Sequence, residues 1–227
     1  MRNGILRGLK MFTVVFAIGF LSIFVLSCGG SSGSDDNDDD GGGSQSQVVT
    51  GASGNEVSLN GTWGSGCVAD IGDGESERSV MTISGSSFTR VENEWFDSTT
   101  CSGTSNVTIN MSGTVVLGDE ITVTYVGSNV TATETDVIIS SFVGTVNSLD
   151  TASDLNTEEE CGFNDWAVGV PKELLGTDCA PDSDFKDVIY LDDTADSDVI
   201  YARDNEGPVD VNDYPTNIDS DTTIERM

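Results

Sequence analysis

Short runs in which apolar and polar residues alternate with a period of two constrain this chain most. Val107, Ile109 and Met111 alternate with Thr108, Asn110 and Ser112, and Ile121, Val123 and Tyr125 alternate with Thr122 and Thr124. Successive side chains of a strand point to opposite faces, so this pattern describes antiparallel strands with one buried face. Such runs recur every ten to fifteen residues, with Gly, Asn, Asp and Ser between them. The expected strands lie near Thr62–Val68, Val80–Ser84, Phe88–Phe96, Val107–Val116, Ile121–Ala132, Val137–Val146, Asp165–Val170, Val188–Leu191 and Val199–Arg203. Ser79 to Phe96 reads as a hairpin turning at Gly85-Ser86. The two copies of Asp-Val-Ile-Tyr, at Asp187–Tyr190 and Asp198–Tyr201, read as the arms of another. No later stretch carries a 3.6-residue period, and Pro171 to Gly176 is the best candidate for a turn of helix. A sheet of eight to ten strands must curl or close, and closure removes its exposed edges. The expected fold is therefore all-β, a single antiparallel up-and-down barrel of eight to ten strands.

The first 27 residues belong to an export signal. Arg2, Arg7 and Lys10 precede an apolar run from Met11 to Leu26, which is short for a membrane-spanning helix of ~20 residues. The run ends at Val25-Leu26-Ser27-Cys28, followed by Gly29 and Gly30. This resembles the lipobox of bacterial lipoproteins. The resemblance implies that Cys28 becomes the first residue and carries acyl chains, and two chains make such an anchor stable. With Gly29 rather than aspartate after the cysteine, it also implies the outer membrane. Residues 28–48 read as a Gly/Ser/Asp tether without the apolar side chains to order itself, spanning on the order of 25 Å. Asp36, Asp38, Asp40 and Gly41 fall at calcium-loop spacing, but the twelfth position is Gln47 and not a bidentate glutamate. The segment is therefore read as a solvated spacer. Residues 49–227 make one domain.

Gly61-Thr62-Trp63 on the first expected strand resembles the Gly-x-Trp signature of lipocalins. In that family the tryptophan packs across the closed end of an eight-stranded barrel, beneath a basic residue from near the end of the chain. The resemblance implies that Arg226, in the terminal Thr-Thr-Ile-Glu-Arg-Met, covers Trp63. A finer resemblance, to exported bacterial lipoproteins with lipocalin-like domains, rests on Leu59, Gly61, Thr62, Trp63, Cys67, Phe88-Thr89, Asp97 and Cys101, and on a closing segment from Gly207 to Asp219. The vertebrate Wnt-inhibitor barrels named for adenomatosis polyposis coli down-regulation share the Trp-then-Cys layout less closely.

Apart from Cys28 there are four cysteines, Cys67, Cys101, Cys161 and Cys179. An even number in an exported chain suggests disulfides, and four allow three pairings. Proximity along the chain favours Cys67–Cys101 and Cys161–Cys179. No close cysteine pair and no histidine is present, so no metal site is expected. The missing histidine also excludes Ser-His-Asp and Cys-His catalysis, and no phosphate loop or other catalytic motif marks an enzyme or a cofactor. The signal holds three of the nine basic residues and none of the 39 acids. The remainder, with 39 acids against six bases, repels nucleic acid. Asn60, Asn106, Asn110 and Asn129 stand in glycosylation sequons, which carry little meaning behind a bacterial lipoprotein signal. The expected function is the binding of a small apolar or amphipathic ligand inside the barrel. The alternative is a structural or protein-interaction lipoprotein whose barrel is filled with side chains.

Overall fold

The computed structural model describes residues 47–194, 198–203, 209–210, 212 and 214–227. The signal, Cys28 and nearly all of the tether lie outside them. Most of the described chain is strand. Two hairpins show why. β5 (Glu75–Ser84) and β6 (Ser87–Trp95) pair in unbroken register from Ser76↔Trp95 to Ser84↔Ser87. The turn between them is Gly85-Ser86, as the sequence indicated, and Gly85 has a φ of 56°, a conformation that glycine adopts without a Cβ clash. β10 (Asp184–Asp192) and β11 (Val199–Arg203) place Tyr190 opposite Tyr201, so the repeated tetrapeptides are the arms of one hairpin.

The remaining strands are β1 (Val48–Thr50), β2 (Glu56–Ser58), β3 (Gly61–Gly64), β4 (Val68–Asp70), β7 (Val107–Tyr125), β8 (Ser128–Val146), β9 (Pro171–Glu173) and β12 (Asn217–Arg226). β3, β5, β6, β7, β8, β10, β11 and β12 each pair antiparallel with the next. β12 then pairs antiparallel with β3 through Arg226↔Trp63 and Glu225↔Gly64. The hydrogen bonds therefore run in a ring around eight strands. β4 and β9 are short additions on β5 and β8, and β1 and β2 form a separate two-stranded sheet. β12 also meets β7 in parallel at Asn217 and Ile218.

Four sequence expectations are corrected. Val107–Val116 and Ile121–Ala132 are not two strands. β7 runs through Gly118-Asp119 with a register shift between Leu117 and Glu120, and the chain turns at Val126-Gly127 instead. A bulge accommodates the extra residues without ending the strand. The first strand stops at Gly64, where the Ser65 hydroxyl accepts a bond from the Ser79 amide at 2.8 Å, and the chain resumes pairing only at Val68. Asp165–Val170 is a loop, and Pro171–Glu173 is strand where a helical turn was expected. Proline at the first position of an edge strand leaves no ladder donor missing. A helix does occur, one segment earlier: α1, Leu149–Glu158. The Ser148 hydroxyl caps it by accepting from the Thr151 amide at 3.1 Å, and Asp150 stands in its first turn.

The main apolar cluster fills the space enclosed by the ring, from Ile83, Phe88, Ile109, Met111 and Phe142 to Leu191 and Ile200. Leu155 of α1 and Trp166 and Leu174 of the loop after it join this cluster. Gly144 makes room for them, since a Cβ there would stand 2.9 Å from Leu174 Cδ1. A second, smaller cluster gathers Val123, Val188, Tyr190, Tyr214 and Ile218.

Candidate functional site

At the first strand, Trp63 is fully buried and its indole nitrogen donates to the Leu59 carbonyl at 2.8 Å. The Arg226 guanidinium lies 4.3 Å from the centre of its ring. Arg226 is held there by more than the indole. Its Nε donates to Asp198 at 2.7 Å, and its two terminal nitrogens donate to the carbonyls of Asn60 and Ser58. Gly61 has a φ of 140°, and a Cβ on it would stand 3.1 Å from Arg226 Nη1. The glycine of the triplet is therefore needed for both backbone and space.

The cysteines pair as Cys67–Cys101 and Cys161–Cys179, with Cα separations of 5.7 Å and 5.2 Å. The first ties the segment after β3 to the loop after β6. The second closes the loop after α1, which carries Trp166. Asn156 of α1 clamps the Trp166 backbone from both sides, its amide donating at 2.9 Å and its oxygen accepting at 2.5 Å.

The structure also groups residues that the sequence reading passed over. Register places Glu77 opposite Glu94, Ser79 opposite Glu92 and Met81 opposite Arg90, on the face that carries Ile83 and Phe88 into the core. Glu75 shares that face by its spacing. Glu75, Glu92 and Glu94 are buried, and among the described residues of this face Arg90 alone offers a positive charge, pairing with Glu92 at 2.5 Å. Neither carboxylate oxygen of Glu94 has a hydrogen-bond partner. Burial pushes Glu92 up to about 7 against the pull of Arg90. Burial, then Asp73, Asp70 and Asp97, pushes Glu75 up to about 7. Glu94 is raised well above the carboxylate range, by burial first and then by Glu92, Glu77 and Glu75. Parity could have found the group: residues 75, 77, 79 and 81 share the phase of Ile83.

A separate open-sided cleft of about 440 Å³ lies where β1 and β2 meet β7 and β8. Val48, Val49 and Leu117 give it apolar wall, and Thr50, Glu56, Glu120 and Thr133 give it polar wall. Among the described residues, one set of three potential metal ligands has its donor atoms within 4.8 Å of one another, Glu160, Cys161 and Cys179, and both of its sulfurs are spent in a disulfide. No described helix is long and apolar enough to cross a membrane. No protein-family model matches the chain, and no curated protein matches it.

Proposed function

We propose that this chain is an exported lipoprotein, anchored in the outer membrane through Cys28, whose ring of strands is a lipocalin-like up-and-down barrel that binds a small amphipathic ligand. Support for the barrel comes from the eight-membered ring of strands, closed between β12 and β3, and from the cover that Arg226 gives Trp63. The observation that carries binding is the 440 Å³ cleft with its mixed lining. Its volume falls in the range of small-molecule sites, ~300–1,000 Å³. An amphipathic occupant suits it better than a purely apolar one, because Glu56 and Glu120 would lose water with nothing in return beside a bare hydrocarbon.

A second reading has its own observation. The space within the ring is packed with Trp63, Phe142, Leu155, Leu174 and Leu191, all fully buried. That favours a structural or protein-interaction lipoprotein with a filled barrel. Native mass spectrometry of the protein purified from its source distinguishes the two: a retained small molecule, lost on Leu117→Glu, supports binding. A bare mass, together with no thermal shift from a panel of amphiphiles, supports the filled barrel.

The anchor has its own test. Cys28→Ala should move the protein from the detergent phase to the aqueous phase, since the tether offers no membrane-binding surface. Continued fractionation with membranes would end the lipoprotein reading.

A further inference from the structure

The glutamates inside the ring serve neither the cleft nor the Trp63 end. A structural interior facing an apolar core has no use for four carboxylates and one base. Glu94 is 5% exposed, and both of its oxygens are buried without partners. A bare carboxylate in that position loses its hydration without compensation, and it must take up a proton or a cation to avoid the cost. Glu92 is already committed to Arg90. Glu77, half-buried, stands directly opposite Glu94. Towards the surface the charge continues: Asp70, Asp73 and Asp97 all act on Glu75. Arg90 is the one base among these acids, so the balance from Glu75 inward stays negative, and low-dielectric walls focus such a field on incoming cations.

We propose that the Glu94 end of the ring interior is a divalent-cation site, with Glu94 and Glu77 as its ligands and Glu75 at its entrance. All of the donors are carboxylate oxygens, with neither histidine nor free thiolate among them, so the site suits a hard ion with a flexible shell. Calcium is the best fit. The carboxylates stand too far apart in the structure for three to share one ion. Each glutamate has three side-chain torsions with which to close on an ion.

The test uses the mature exported protein without its signal. Calcium chloride is titrated by calorimetry, and terbium is titrated by luminescence excited through Trp95, the residue next to Glu94. The expected result is one saturable site in the sub-millimolar to millimolar range typical of extracellular modules. Glu94→Gln should weaken it by ~10-fold or more, because one of few charged ligands is lost. Glu158→Gln, on the exposed side of α1, should leave it unchanged. Glu94→Gln keeps the shape of the side chain and cannot ionise, so its thermal midpoint without calcium should equal or exceed that of the parent at neutral pH. A folded Glu94→Gln that binds calcium as the parent does would overturn the proposal. So would the absence of saturable binding up to 10 mM calcium. Binding of methylammonium at the same residues with no calcium binding would overturn the assignment to a metal ion.

Discussion

At the scale of single residues, the Trp63 end is the part of the molecule that the sequence disclosed best. A tryptophan two residues after a glycine on the first strand, and an arginine next to the C-terminus, are local signals. The structure brings the two together as direct cross-strand neighbours. What the sequence could not disclose is how firmly Arg226 is held. Stacking alone is worth ~0.5–2 kcal/mol. The pairing with Asp198 and the bonds to the Asn60 and Ser58 carbonyls raise the expected cost of Arg226→Ala to ~2–3 kcal/mol. Trp63→Ala should cost ~3–5 kcal/mol through the cavity it leaves. Denaturant unfolding of both single variants and the double variant checks this, and the double should lose less than the sum. An additive pair would mean that the ring and the guanidinium do not share a contact. The interior glutamates were illegible for the opposite reason. Glu-Ser-Glu and Glu-Asn-Glu on strands read as a solvated face, because buried carboxylates are rare. Only their phase relative to Ile83 and Phe88 says otherwise.

At the scale of elements, strands with strict alternation were legible and their ends were not. The β5–β6 turn shows glycine where glycine is needed. The β7–β8 turn hides because its first residue, Val126, has a φ of 47°, a conformation unfavourable for a β-branched residue, while Gly127 takes 75°. The Gly118-Asp119 pair eight residues earlier advertises a turn and is instead a bulge packed against Glu134. α1 buries only Thr151, Ala152 and Leu155. That is too thin an apolar stripe to stand out among acids, and its stability derives from the cap at Ser148 and from docking beside Trp166. The strained turn yields a prediction. Asn-Gly is the favoured pair for a two-residue hairpin turn with both φ values positive. Val126→Asn should therefore raise stability by ~1 kcal/mol. Val126 is 74% exposed, so little packing is lost in exchange. A thermal midpoint unchanged or lowered by this substitution would count against the turn as drawn.

At the scale of the whole molecule, closure and charge act against each other. Closing the sheet gives almost every strand two neighbours, and the cost is an interior in which the polar parts of β5 and β6 become trapped. The acidic balance of the chain makes that trapping sensitive to pH. Glu75 and Glu92 are raised to about 7 in the folded protein, and Glu77 and Glu94 are raised as well, burial being the first cause in each case. In the unfolded chain these groups titrate near 4.5. The folded state therefore binds more protons than the unfolded state between about 4.5 and 7. A raised folded pKa contributes stability that is fully present below the unfolded value and is lost as pH rises through the folded one. Glu92 alone accounts for roughly 3 kcal/mol across that window. Asp165, Glu173 and Asp193 run the other way. Hydrogen bonds hold their pKa values low, and the stability they contribute is lost on acidification below the ordinary carboxylate range. Maximal stability should thus fall near pH 5 and decline towards pH 8. Thermal unfolding of the calcium-free protein at pH 5, 6.5 and 8 measures the slope directly. Glu94→Gln should flatten it, because a neutral amide replaces a buried acid whose two oxygens have no hydrogen-bond partner. A midpoint that rises from pH 5 to pH 8 would show that these carboxylates are ionised and compensated in the folded state. The acids of β5 and β6 would then have to be in contact with water or counter-ions, and not buried within the ring.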